Sequence, residues 1–161
     1  MDERDWQAML DGLCRAAEAR DGEAFAAYFT EDGVYHDDFY GAFAGRDQLA
    51  KLVTDWLHKD ARDLRWDMLE PVCDGARLYA RYIFSYVSTL PEARGARAMF
   101  EAVSIMSLQG GKIAEYREVI SGGTAFVDMH FHPERIFKIF ERKAAALKAR
   151  PEAQRHLPSA A

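Results

Sequence analysis

Two acidic residues set in apolar surroundings pose the chemical question. Asp37 closes the short run Val34-Tyr35-His36-Asp37, and Glu118 lies inside Ile113 to Ile120. Two carboxyls at one cavity are driven apart in pKa, one protonated and one ionised, which suits proton transfer on a neutral substrate. Asp37 reads equally as a turn-capping residue beside Asp38. Arg81 is a charge embedded in a long, otherwise apolar run. If its face is buried, the guanidinium needs a carboxylate, and Glu118 is the expected partner. That pair is either a structural ion pair or an arginine holding a catalytic carboxylate ionised and aimed. The second reading is preferred, with Asp37 at the same mouth. Tyr35 alternates away from His36 and shares a face with Asp37, where a phenol positions water or stabilises an oxyanion. It reads also as an ordinary half-buried strand aromatic, and His36 as structural or facing a second subunit.

Strand alternation puts Tyr79, Arg81, Ile83 and Ser85 on one face and Ala80, Tyr82, Phe84 and Tyr86 on the other. The first set is expected to face the pocket and the second to lie between subunits. Trp56, Tyr79, Ile83, Phe100, Tyr116 and Ile120 are the expected apolar substrate-binding residues, although each also suits a core. Glu101 is expected on the outer side, paired with a strand arginine, while Phe100, Ala102 and Ser104 point inward. His130 and His132 form an HxH string without a visible third ligand, so capping is the better reading and no metal is expected. GxSxG, P-loop and GxGxxG strings do not occur, leaving hydrolase-elbow and nucleotide readings without support.

The elements that must position these groups follow from periodicity. Trp6, Met9, Leu10, Leu13, Ala16 and Ala17 recur at helical spacing, and a shorter helix follows through Phe25, Tyr28 and Phe29. Thr30 to Gly33 reads as a turn, Val34 to Asp37 as a strand, and Asp38 to Arg46 as a loop. Asp47 is expected to cap a third helix bearing Leu49, Leu52, Val53, Trp56 and Leu57. From residue 64 the period becomes two, giving strands at Leu64 to Val72, Arg77 to Leu90, Ala96 to Leu108 and Lys112 to Ser121. A last helix starts near Pro133, with Arg135, Lys138, Arg142, Lys143 and Lys148 opposite its apolar face. This order predicts an α+β domain: a cone-shaped, curved antiparallel sheet wrapped around the N-terminal helices, with an added C-terminal helix. Residues 1–150 are expected to form one domain and 151–161 a frayed tail. An apolar convex sheet face is most economically covered by a homodimer.

Composition bounds the function. The chain has 161 residues and a formal net charge of −5, which argues against nucleic-acid binding. With hydrophobic residues at 49% and charged residues at 29%, it is globular. Its apolar runs fall far short of the roughly 20 residues that span a bilayer, so no membrane is expected. The start MDERDW does not read as a secretory signal. Cys14 and Cys73 suit a reducing, cytoplasmic compartment.

Three strings resemble the nuclear transport factor two-like superfamily, which includes SnoaL-like polyketide cyclases, ketosteroid isomerases, scytalone dehydratase and limonene-epoxide hydrolases. Glu31-Asp-Gly-Val-Tyr-His-Asp37, with Gly45-Arg46-Asp47, resembles the first-strand region of the limonene-epoxide hydrolases. Asp74-Gly-Ala-Arg-Leu-Tyr-Ala-Arg81 is similar to the strand bearing their active-site arginine, and Gly111-Lys-Ile-Ala-Glu-Tyr-Arg-Glu118 to the strand bearing their base. The resemblance, over roughly residues 5–125, implies the cone fold. It also implies a water-binding pair at Tyr35 and Asp37, a bridging arginine at Arg81 and a base at Glu118. Ile83 stands where that family has its general-acid aspartate, and Leu13 where ketosteroid isomerases have an oxyanion-binding tyrosine. The expected function is a cofactor-independent acid/base enzyme of isomerase, dehydratase, cyclase or hydrolase type. Its substrate would be a small hydrophobic, polyketide-, terpenoid- or steroid-like molecule. The alternative is a non-catalytic small-molecule-binding or scaffolding homodimer of the same fold.

Overall fold

Trp6, Leu10, Leu13 and Ala17 are buried because one face of α1 (Glu3–Glu18) closes over the sheet, chiefly against its strand β3 (Ala61–Cys73). The computed structural model describes residues 3–157. A second helix, α2 (Gly22–Ala26), is capped by the Asp21 carboxylate, which accepts the Ala24 N–H at 2.9 Å. It crosses α3 (Arg46–Lys51) so closely that a Cβ on Gly22 would lie 2.5 Å from the Ala50 carbonyl oxygen. The third helix continues as a π-helical segment, Leu52–Leu57, that buries Leu52 and Val53.

The remaining strands are β1 (Phe29–Asp37), β2 (Gly41–Ala44), β4 (Arg77–Ser88), β5 (Arg97–Gln109) and β6 (Lys112–Ser121). They form one six-stranded sheet in the order β2-β1-β6-β5-β4-β3. Every pairing is antiparallel except β1 with β6, so the sheet is mixed where the sequence suggested antiparallel throughout. The expected turn at Thr30 to Gly33 is instead a register shift within β1, and the glycine-containing loop after Asp38 holds the short β2. A short helix, α4 (Gly123–Asp128), follows the Gly122-Gly123 step and buries Ala125 and Phe126. Then comes α5 (Pro133–Lys148), capped by His132, whose Nδ1 accepts the Glu134 N–H at 3.4 Å. The expected tail begins with a 3-10 segment, Pro151–His156, tied back by Gln154 to the Lys148 and Arg150 carbonyls. Its last residues, 158–161, lie outside the described residues.

Register decides which side chains meet. Ala80, Ser104 and Glu118 lie side by side across β4, β5 and β6, as do Tyr82, Ala102 and Ile120. Leu78, Ala80, Tyr82 and Phe84 are buried on the concave side, with Met68 and Trp66 beside Tyr82 and Phe84. The inward and outward sets expected for this strand are therefore reversed. Tyr79, Arg81 and Ile83 face out, and Tyr82, Phe84 and Tyr86 face the interior rather than a second subunit. The physical reason is transfer free energy. The set containing Leu78, Tyr82 and Phe84 carries more apolar area and no formal charge, so it is the set that turns inward. Phe100, Ala102 and Ser104 point inward as expected, with Glu101 outside.

Candidate functional site

The concave face encloses a cavity of about 840 Å³. Trp66, Tyr82, Phe84, Phe100 and Ile120 wall it on the sheet side, and Phe126, Met129 and Phe131 wall it from α4 and the segment after it. Phe39 and Tyr40 stand at one edge, and Ile139, Ala146 and Leu147 of α5 line the mouth. This is an aromatic-rich, mostly apolar chamber of the size that takes small ligands.

Glu118 is the chemical centre of that chamber. Alternation along β6 delivers it inward between the fully buried Tyr116 and the half-buried Ile120. Its Oε2 accepts the Tyr82 hydroxyl at 2.7 Å and the Tyr35 hydroxyl at 3.0 Å, and its Oε1 accepts the Asp38 N–H at 3.2 Å. The carboxyl opens onto the cavity on one side and is ringed by protein on the others. Burial, reinforced by the nearby Asp37 charge, pushes its pKa up to about 8 against the pull of those donors. Asp37 sits at the end of β1. Its Oδ1 accepts the Phe39 N–H at 2.8 Å and the Tyr40 N–H at 2.7 Å, so the turn-capping reading describes its geometry. Burial raises its pKa as well, against those two N–H groups. Tyr35 is buried, lies flat on Tyr116 with ring centroids 4.2 Å apart, and has its pKa raised by burial and by Glu118.

Of the expected catalytic residues, Glu118, Asp37 and Tyr35 come together at the cavity and Arg81 does not. Arg81 lies on the convex face, bound to Glu70 through Nε and Nη2 and to Glu101 through Nη1, each contact 3.1 Å long. The expected Arg81–Glu118 pair is therefore corrected, and with it the idea of an arginine keeping the carboxylate ionised. Tyr82 supplies the contact instead, one residue along the strand. Among the expected pocket residues, Phe100 and Ile120 line the cavity. Tyr79 and Ile83 are on the outer face, and Tyr116 is core packed beneath Tyr35. Trp56 is 38% exposed and packs on Tyr40 and Phe43 outside the chamber, because the π-helical segment rotates it off the buried face. Glu101 has the strand arginine expected for it. His36 points away from the chamber to Glu115 at 3.1 Å.

The residues missed in the sequence are Tyr82, Trp66 and the Asp38 backbone N–H. For Tyr82 the signal was present: the more apolar of the two β4 faces belongs inside. Nothing local in the sequence announces a backbone N–H aimed at a carboxylate far along the chain. Among the described residues, no group of three or more His, Cys, Asp and Glu side chains is placed to hold a metal ion. No helix among them is long and apolar enough to cross a membrane.

A six-stranded curved sheet over N-terminal helices, with an inward carboxylate on its last strand, defines a class of cone-shaped α+β domains. The SnoaL-like domain family matches residues 7–116, and the chain belongs to that family. Solved structures agree at the level of fold. A hypothetical protein of ketosteroid isomerase-like fold from Catenulispora acidiphila, in complex with trimethylamine, is 13% identical with a TM-score of 0.68, covering 78% of this chain and 95% of that one. A limonene-epoxide-hydrolase-like epoxide hydrolase of M. tuberculosis is 14% identical with a TM-score of 0.62, covering 79% and 90%. The epoxide hydrolase/cyclase-like enzyme SalBIII, of pyran ring formation in the polyether salinomycin, is 17% identical with a TM-score of 0.63, covering 76% and 95%. No curated protein matches the sequence.

Proposed function

We propose that this protein is an acid/base enzyme acting on a small, mostly apolar molecule in the cone, with Glu118 as the base and Asp37 as the second carboxylate. The observation that carries this reading is the Glu118 carboxyl itself. It faces an aromatic chamber, accepts two phenols and one backbone N–H, and has its pKa lifted to about 8. When ionised it is a strong base, and its three donors hold one carboxylate orientation as it takes a proton from a substrate C–H or from water. Asp37, a second acid at the cavity, raises the proton affinity of Glu118 while it is ionised. Isomerisation, dehydration, cyclisation and hydrolysis share this proton abstraction, and family membership supports the same group of reactions.

The test is turnover of a panel of neutral epoxides, β-hydroxy ketones and enones as a function of pH. The expected rate climbs with pH to an inflection near 8. Glu118→Gln is expected to lower it by about 10²–10⁴-fold with ligand affinity retained. A rate that falls through that pH range, or that survives the substitution, removes Glu118 from the role of base. The non-catalytic reading is favoured by one observation, the outward Arg81, which deprives the chamber of its expected guanidinium. Ligand binding with no turnover on any substrate would select it.

We also propose a homodimer through the convex face, where Met99, Val103 and Val119 are 52%, 41% and 64% exposed. Sedimentation of a stable monomer would refute it. The free thiols of Cys14 and Cys73 support a cytoplasmic location.

A further inference from the structure

The charges lining the cavity are sorted by origin. The acidic ones, Asp37, Asp38, Asp60 and Glu118, all come from the cone. The basic ones, Arg135, Arg142, Lys143 and Arg150, all come from α5 and the residue that follows its cap. Arg142 and Lys143, expected opposite the apolar face of this helix, instead share one face with Ile139, Ala146, Leu147 and Arg150, and all six line the cavity. Two of the four cations are already engaged. Arg135 binds Glu92 and lies over the Phe131 ring at 3.6 Å, and Lys143 binds Asp38 and stands over the Phe39 ring at 4.9 Å. Arg142 and Arg150 have no carboxylate partner among the described residues. Both are exposed at the mouth, above the apolar patch made by Ile139, Ala146 and Leu147.

We infer that the mouth is a subsite for an oxyanion carried on the substrate. Arg142 and Arg150 would receive a carboxylate or phosphate ester at one end of an apolar molecule whose uncharged end reaches Glu118. The inference rests on the cavity reading of the preceding subsection and deepens it by naming the substrate class. The physical basis is the opposition of charge along the cavity. An anion entering first meets Asp37 and the buried acid Glu118, whereas an anion left at the mouth meets two guanidiniums whose planar forks match a carboxylate or phosphate. The apolar body is then oriented with its reactive, neutral end inward. The family match ends at residue 116, so the helix that supplies these cations lies beyond the part of the chain that the family defines. A charge filter added at the mouth narrows the choice of substrate without altering the proton-transfer site below it.

The experiment compares three molecules with one skeleton by isothermal titration calorimetry: octanoate, octyl phosphate and octanol. Each is titrated into the wild-type protein and into the Arg142→Gln/Arg150→Gln variant, whose substitutions are at exposed positions. At low salt at least one anion is expected to bind about tenfold more tightly than the alcohol, with the advantage shrinking as added salt shortens the screening length. In the variant that advantage disappears while octanol affinity stays within about twofold. Octanoate outbinding octyl phosphate identifies a carboxylic acid substrate, and the reverse a phosphate ester. Octanol binding as tightly as both anions, or an anion preference that survives the double substitution, overturns the subsite while leaving the cavity and Glu118 intact. Failure of the base is read separately, from turnover of Glu118→Gln on neutral substrates.

Discussion

Replacing Glu118 by glutamine isolates the feature on which the proposed chemistry stands, and its effect on stability can be worked out before any substrate is known. The carboxyl moves from an ordinary value of 4.5 to about 8 on folding, because burial and the Asp37 charge penalise its ionised form. A carboxyl raised in this way contributes its full stability below the unfolded value. That contribution is lost as pH rises, since the unfolded chain releases the proton first. Taken alone, a shift from 4.5 to about 8 corresponds to a ceiling of about 5 kcal/mol across that interval, at about 1.4 kcal/mol per unit. Asp37 is raised too and shares the cost of bringing the acids together, so we expect roughly half, about 2–3 kcal/mol. Glutamine keeps an oxygen for the Tyr35 and Tyr82 hydroxyls but offers an amide to the Asp38 N–H, a constant penalty of about 1 kcal/mol. Urea denaturation of both proteins at several pH values between 5 and 9 separates the two effects, since the penalty is flat and the titration is not. Glu118→Gln should therefore gain on the wild type as pH rises, overtaking it near pH 5, where the titration loss first exceeds the penalty of about 1 kcal/mol, and leading by about 1–2 kcal/mol by pH 8. Stability curves that run parallel through this range would refute the buried, proton-holding Glu118.

Tyr82→Phe removes the 2.7 Å hydrogen bond that favours the ionised carboxyl. The inflection of the pH–rate profile should move above 8, with a stability loss of about 1–2 kcal/mol in thermal unfolding. Asp37→Asn removes the neighbouring negative charge and should shift that inflection downward; an unchanged profile would mean that the two acids are not coupled. Arg81→Ala dismantles the outer contacts with Glu70 and Glu101, and kcat/KM should stay within about twofold. A large loss of activity would place the guanidinium back in the mechanism.

The fold was legible because helices and strands announce themselves by period, and the change of period at residue 64 marks where β-structure takes over. The inward placement of Glu118, Ile120 and Phe100 was legible from the same alternation. Parity on β4 is not legible from Arg81, whose match to a catalytic motif points to the wrong face. The decisive quantity was apolar area: Leu78, Tyr82 and Phe84 bury more of it than Tyr79, Arg81 and Ile83 can. A slip of one residue exchanges every side chain on a strand, so this single choice also misplaced Tyr79 and Ile83 and turned Tyr86 outward. The β1–β6 pairing, by contrast, joins distant segments, and no local pattern states whether such a pair is parallel.

The exchange of a guanidinium for two phenols changes the acid/base character of the site. An arginine beside Glu118 would keep it ionised through the neutral range and correspondingly weak as a base. Tyrosines stabilise the anion through directed hydrogen bonds without a compensating charge, so desolvation prevails and the carboxyl stays protonated until about pH 8. Near neutrality only about a tenth of the molecules then carry the ionised base, but each has a proton affinity well above that of an ordinary carboxylate. Such a group matches substrates whose protons are hard to remove, and its two phenols must reorganise little as charge moves from the carboxylate onto the substrate. The walls beside the carboxyl, Trp66, Tyr82, Phe84 and Phe100, are aromatic, while the other charged groups lining the cavity come from the end of β1 and the loop after it, from Asp60, and from α5 with the residue after its cap. In the chemistry proposed above, burial of the carboxyl does more to raise its proton affinity than added charged partners would. Lys143 of α5 binds Asp38, whose N–H is donated to Glu118, so the helix at the mouth is tied to the same loop that holds the carboxyl in place.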